Sequence, residues 1–170
     1  MNSFKKHALA TTCKMARHLV ATTLLAMLAL LLPATSARAD SLVLFYDRNT
    51  GAAETGFVDT DGTFTDLNLY SGFAPWTHIA GVGGGLVLFY DRNTGAAETG
   101  FVDTNGTFTV LNVYSGFAPW THIIGVGGGL VLFYDRNTGA AETGFVDTNG
   151  TFTDLNVYSG FAPWTHIAAP

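Results

Sequence analysis

Apolar residues recur along this chain in short runs that are separated by glycine and polar residues. Residues 42–46 form a continuous apolar run, which is typical of a strand covered on both faces. Residues 47–51 follow as a predicted tight turn, with Gly51 in the left-handed conformation. Residues 53–59 predict a second strand. The pattern therefore begins as a hairpin.

A second hairpin and a fourth strand follow. Asp61-Gly62 is a strong hairpin signal, as are Asn105-Gly106 and Asn149-Gly150 further along. Residues 63–70 then alternate between apolar and polar side chains, which predicts a strand. Residues 71–75 read as a loop and residues 76–80 as a fourth strand. No window beyond residue 39 has helical periodicity.

This four-strand pattern is repeated. The segments 42–85, 86–129 and 130–170 align without gaps at a period of 44 residues. The first two differ at four pairs of positions: Asp61/Asn105, Asp66/Val110, Leu69/Val113 and Ala80/Ile124. Any chemistry that one unit carries is therefore present three times.

Residues 1–39 have the features of a secretory signal peptide. Lysines and arginines precede an apolar run that ends near Pro33, and Ala37-Arg38-Ala39 is a suitable cleavage site. We therefore expect residues 40–170 to be secreted or periplasmic. The only cysteine, Cys13, lies in the segment to be removed, so no disulfide is expected.

The net charge of residues 40–170 limits the classes of partner that the protein can bind. Residues 40–170 contain three arginines, no lysine and all thirteen acidic residues, which gives a formal charge of −10. Such an acidic chain lacks the basic footprint needed for nucleic acid or for anionic membranes. We therefore expect neither partner, and no membrane association after signal cleavage.

Four strands per 44 residues fit two all-β architectures. A β-propeller blade is a four-stranded sheet of this length, and a β-trefoil has three units of similar length. We favour the propeller, because each unit begins with a wholly apolar strand that suits an innermost position. Propellers have about 4–8 blades, so three blades predict a homo-oligomer, most simply a head-to-tail dimer.

The sequence Leu-Phe-Tyr-Asp, a glycine turn, Gly-Phe, Trp-Thr-His-Ile and a Gly-Gly joint resembles repeats of bacterial β-propeller lectins of the tachylectin and fucose-lectin type. This resemblance implies sugar binding between blades by an arginine, a glutamate and an aromatic residue, and assembly of short chains into a ring. The matching residues are Arg48, Glu54 and Trp76, Arg92, Glu98 and Trp120, and Arg136, Glu142 and Trp164.

Each candidate has a structural alternative. The tryptophans could stack on sugar rings, or they could pack between sheets. Each Arg–Glu pair could bind hydroxyls, or could be a surface ion pair across its turn. One histidine per unit could contribute to a metal site on a threefold axis or could hydrogen-bond across blades, the histidines being His78, His122 and His166.

An aspartate-rich turn also suggests calcium, since residues 59–63 bring acidic oxygens close to a glycine. No glutamate follows at the required distance, so a plain hairpin is favoured. Near-identical units do not provide the two different environments that an acid–base pair needs. The sequence thus predicts a non-enzymatic, lectin-like module without cofactor that binds glycans at repeated shallow sites. A structural or adhesion repeat protein is the alternative.

Overall fold

The computed structural model describes residues 41–170, so the predicted signal peptide at 1–39 lies outside the described residues. The described part contains strands and turns but no helix, and therefore no helix that could span a membrane. Its eleven strands are β1 (Ser41–Asp47), β2 (Ala52–Val58), β3 (Phe64–Tyr70), β4 (His78–Gly83), β5 (Leu86–Asp91), β6 (Ala96–Val102), β7 (Phe108–Tyr114), β8 (His122–Gly127), β9 (Leu130–Asp135), β10 (Ala140–Val146) and β11 (Phe152–Tyr158).

The strands form three separate antiparallel sheets. The first contains β1-β2-β3, the second β4-β5-β6-β7 and the third β8-β9-β10-β11, each in that spatial order. The turns lie where the sequence predicts them: Gly51 has a φ of 69° and Gly62 a φ of 87°, values that glycine adopts without strain. Successive sheets stacked in this way are blades of a β-propeller. The trefoil alternative is wrong, because its units do not form separate sheets.

The order of strands within a blade differs from the prediction. The apolar strand β5 is the second strand of its sheet, and β4, from the end of the preceding sequence unit, is the first. Adjacent sheets approach most closely at β4 and β8, where a Cβ placed on Gly125 would meet the carbonyl oxygen of Gly81. The innermost strands are therefore His78–Gly83 and His122–Gly127, and only a glycine-containing strand can pack so closely.

Aromatic side chains fill the space between sheets. Phe89 of the second sheet is fully buried and packs against Trp76, Phe73 and Phe108. Phe133 occupies the equivalent place in the third sheet. This packing explains why β5 is apolar on both faces, since its other face contacts the next blade.

Hydroxyl groups tie the outer parts of neighbouring sheets together. Thr55 Oγ1 and the Tyr70 hydroxyl both donate to the carbonyl oxygen of Gly106, at 2.8 and 2.7 Å. Thr99 and Tyr114 bond the carbonyl of Gly150 in the same way, one period later. The junction between blades is thus a repeated set of contacts as well as a repeated sequence.

Candidate anion-binding cleft

A polar cleft lies at the junction between the second and third sheets. It has a volume of about 290 Å³ and is lined by Arg92, Thr121, His122, Arg136 and Asn137. Arg92 follows β5 of the second sheet, and Arg136 follows β9 of the third. Two guanidinium groups from successive blades therefore face one cavity.

Turn geometry fixes where these side chains emerge. The Asp91 carboxylate accepts hydrogen bonds from Thr94 Oγ1 and from the Asn93 backbone and side-chain nitrogens, and Asp135 repeats this pattern. The hydrogen bond from Thr94 is the main cause that holds the pKa of Asp91 below its usual value. The carboxylate at the start of each turn is thus engaged by its own turn, and the arginine beside it lies in the cleft wall.

His122 joins the two sides of the blade junction. Its Nδ1 lies 2.9 Å from Thr121 Oγ1, and its Nε2 lies 3.0 Å from the carbonyl oxygen of Thr165. A carbonyl only accepts, so Nε2 carries a hydrogen, and Nδ1 contacts the Thr121 hydroxyl, which also donates to the carbonyl oxygen of Tyr134 at 3.0 Å. Both ring nitrogens are therefore occupied within the protein.

His78 makes the same contacts one period earlier, with Nε2 3.1 Å from the carbonyl oxygen of Thr121. Partial burial lowers its pKa, which favours the neutral ring. His78 and His122 thus hydrogen-bond across blades, as one of the two sequence interpretations holds, whereas in the described chain His166 contacts only Thr165 Oγ1. Within residues 41–170 no group of three or more metal-ligating side chains is placed to bind an ion.

The residues predicted to bind sugar are not brought together. Trp76 and Trp120 are only 7% and 6% exposed and pack against phenylalanines, whereas Trp164 is 57% exposed. Glu98 lies opposite Phe89 within its sheet. Of the nine predicted residues, only Arg92 and Arg136 line the cleft.

The glutamates instead form carboxyl pairs inside two hairpins. Burial, together with a hydrogen bond to Asp154, raises the pKa of Glu142 to about 7. A hydrogen bond to Asp66 raises the pKa of Glu54 in the same way. The second unit has Val110 in place of the aspartate, and there burial alone raises the pKa of Glu98.

Sequence reasoning missed the roles of Thr121 and Asn137 in the cleft. The Thr-His pair that precedes each inner strand was the available signal, because a hydroxyl beside an imidazole can orient the ring. Arg136 N also donates to Thr121 Oγ1, at 2.9 Å, which ties the arginine turn to the start of β8. That contact joins residues 15 positions apart and depends on strand register.

No protein-family model matches the sequence, and a search of curated proteins gives no match. Solved structures do resemble it, each over 71% of this chain. A functionally unknown protein from Desulfotomaculum acetoxidans is 16% identical, with a TM-score of 0.53 and 39% of its chain covered. A protein from Bacteroides fragilis, provisionally assigned as a 6-phosphogluconolactonase, is 16% identical, with a TM-score of 0.51 and 39% covered. The periplasmic gluconolactonase PpgL of Pseudomonas aeruginosa is 14% identical, with a TM-score of 0.46 and 40% covered.

The fold is a β-propeller. The chain spans less than half the length of these structures, and the likeness at such low identity concerns the fold. It gives no support to the lectin type of repeat. The predictions of a lectin-like function, of glycans as partners and of no enzymatic activity are wrong, because a solved structure with this fold, the Bacteroides fragilis protein, is provisionally assigned as a lactonase. Two arginines line the cleft, and none of the three tryptophans does.

Proposed function

We propose that this protein is a lactonase-type hydrolase that opens an anionic sugar lactone in the cleft between its blades. The observation that carries the proposal is the convergence of Arg92 and Arg136 from two successive sheets on one cavity. Guanidinium groups bind phosphate and carboxylate through paired hydrogen bonds, so a substrate with an anionic group suits this lining. Asn137 and Thr121 add groups that can hydrogen-bond sugar hydroxyls.

Lactone opening requires stabilisation of a developing negative charge. Hydroxide adds to the lactone carbonyl carbon, and the carbonyl oxygen becomes an oxyanion that an arginine can stabilise. The bond to the ring oxygen then breaks, the ring oxygen takes a proton from water, and the product is an open-chain hydroxy acid. One arginine would bind the anionic substituent and the other the oxyanion.

In this scheme His122 has a structural role, because it connects the two sides of the cleft. Because both its ring nitrogens are hydrogen-bonded within the protein, hydroxide comes from solvent, and the rate should rise with pH. The second observation that supports a hydrolase is the Bacteroides fragilis neighbour, whose provisional substrate, 6-phosphogluconolactone, carries a phosphate. The signal peptide predicted from the sequence at residues 1–39 is consistent with action outside the cytoplasm, in secreted or periplasmic form.

The test is lactone hydrolysis by the purified protein, followed through proton release with a pH indicator. We expect a rate above the buffer rate for 6-phosphogluconolactone, and a lower rate for the uncharged gluconolactone. Arg92→Gln combined with Arg136→Gln should lower kcat/KM for the phosphorylated substrate by about 10- to 100-fold, since hydrogen bonds to charged groups contribute about 1.5–3 kcal/mol.

Asp154→Val is the matched control for this experiment. The second unit already has Val110 at this position, so the fold accommodates the change, and Asp154 does not line the cleft. Its kcat/KM should stay within about twofold of the unchanged protein. Hydrolysis at the buffer rate with both lactones would refute the proposal.

A further inference from the structure

The outward faces of the first and third sheets lack contacts that the corresponding faces at the junctions between sheets make. Strands β5 and β9 are paired on both sides, whereas β1 is paired only with β2 within residues 41–170. Phe45 of β1 is consequently 52% exposed, although its equivalents Phe89 and Phe133 are fully buried. The first sheet lacks the inner strand that the other two sheets have.

The missing strand has a recognisable sequence, and the chain contains an unpaired copy of it. In the complete sheets, residues 78–80 pair with residues 88–90, and residues 122–124 with residues 132–134. The third copy of this segment, at residues 166–168, is in no sheet of the described chain. The tryptophan that precedes it, Trp164, is exposed where the two equivalent tryptophans are buried.

In the outer part of the blades, a glycine and a leucine likewise lack the contacts that their equivalents in other units make. Gly106 and Gly150 dock against the preceding sheet, where a Cβ on either would lie 2.5 Å from a leucine Cβ. Gly62, the third member of this set, has nothing within 4 Å of such a Cβ. On the opposite face, Leu155 is exposed, whereas its equivalents contact Gly106 and Gly150.

We propose that two copies of this chain associate head to tail, and that each supplies the inner strand of the other's first sheet. Residues 166–168 of one copy pair antiparallel with β1 of the second copy, which places His166 opposite Tyr46 and Ala168 opposite Leu44. Leu155 then packs on Gly62 of the second copy. The register follows from the pairing inside the complete sheets.

The number of blades argues for two copies. Closed propellers have about 4–8 blades, a number that the three sheets of residues 41–170 reach in two copies and exceed in three. Two copies give six complete four-stranded sheets, and every exposed face described above is then covered. Because the contact is heterologous, closure into a ring prevents growth into open filaments.

The association also completes a binding cleft. One period after the observed cleft, Arg136, Thr165 and His166 of one copy would face Arg48 and Asn49 of the second copy. The junction between copies thus repeats the lining of the junction within a copy. Association itself does not depend on the proposed lactonase activity, so each can fail while the other holds.

The first test is the solution mass of the purified protein by light scattering. We expect twice the mass of the chain. Gly62→Asn should convert it to the single-chain mass, because asparagine tolerates the turn conformation while its side chain would collide with Leu155 of the second copy. Gly72→Asn is the matched control: Gly72 has the same φ of 87°, and neither it nor its equivalents Gly116 and Gly160 have anything within 4 Å. A single-chain mass for the unchanged protein would overturn the proposal.

The second test checks the register. In a Cys13→Ser background, Leu44→Cys with Ala168→Cys should form a disulfide between copies, because directly opposed strand residues lie within disulfide range. Leu44→Cys with Ile167→Cys should not, since neighbouring residues on a strand point to opposite faces. Equal crosslinking by both pairs, or crosslinking by neither, would contradict the proposed strand pairing.

Discussion

At the scale of single residues, the three units test one substitution within the same molecule. The first and third units place a glutamate and an aspartate in one hairpin, and the second unit has Val110 instead of the aspartate. In the third unit Glu142 holds a proton up to about pH 7, because burial and Asp154 both oppose its ionisation. In an unfolded chain a glutamate ionises near pH 4.5.

This difference makes folding stability depend on pH. Since the folded state of Glu142 binds the proton more tightly, its contribution to stability is fully present below about pH 4.5 and is lost as pH rises towards 7. Glu142→Gln should therefore raise the melting temperature at pH 8 and change it little at pH 5. Thermal unfolding at both pH values measures this.

Glu98→Gln is the control, because no aspartate lies beside Glu98 and burial is the only cause of its raised pKa. Its effect at pH 8 should have the same sign and be smaller. An equal gain at pH 5 and pH 8 for Glu142→Gln would show that charge repulsion is not the cause.

Residue roles were only partly predictable. The arginines were selected through the resemblance to lectin repeats, as residues that bind sugar, and two of them line the cleft. Trp76 and Trp120 were not interpretable from sequence, since a tryptophan's exposure depends on which neighbouring sheet covers it. The same sequence gives a buried Trp120 and an exposed Trp164, so the local pattern alone cannot decide.

At the scale of the strand, glycine sets how closely two blades can approach. Gly125 and Gly81 have ordinary backbone angles, so neither glycine is needed for a left-handed conformation. Gly125 is needed for space, because the Gly81 carbonyl occupies the place of its missing side chain. Alanine substitutions at these two positions therefore measure the effect of packing on stability without a change in backbone conformation.

Gly125→Ala should lower the free energy of unfolding by about 2–3 kcal/mol, since overpacking of this kind forces backbone shifts. Gly81→Ala should change it by less than about 1 kcal/mol, because nothing lies within 4 Å of the added methyl group in the chain. Denaturant unfolding of the two variants provides the comparison. Similar losses for both would mean that β4 and β8 do not approach as described.

The strands themselves were predictable almost to their ends, because alternation and glycine turns are local signals. The order of the strands within each sheet was not predictable in this way. A continuous apolar run indicates a strand covered on both faces, which holds equally for the innermost strand and for its neighbour. Residues 78–80 of β4 were correctly predicted to lie in a strand, but residues 81–83 were assigned to a glycine joint, because these glycines are explained only by contact with another blade.

At the scale of the whole molecule, the repeat length and strand count narrowed the fold to a propeller or a trefoil, and the wholly apolar strand favoured the propeller, although that strand is the second of its sheet and not the innermost. Function was not predictable in this way, because one fold supports many sites. The sequence resembled lectin repeats in spacing, whereas the cleft depends on which side chains two successive blades bring together. That juxtaposition is visible only once the blades are stacked.

The position of the arginines has a consequence for occupancy. Arg92 lines the observed cleft from one side, and one period earlier the same arginine takes the place that Arg136 holds here. If the preceding junction binds the same ligand, the two clefts share the Arg92 guanidinium group, and a ligand that binds this group in one cleft weakens binding in the other. Such sharing is negative cooperativity between neighbours. Titration calorimetry with 6-phosphogluconate, the expected product, should show a second class of weaker binding, whereas identical independent sites would give a single isotherm.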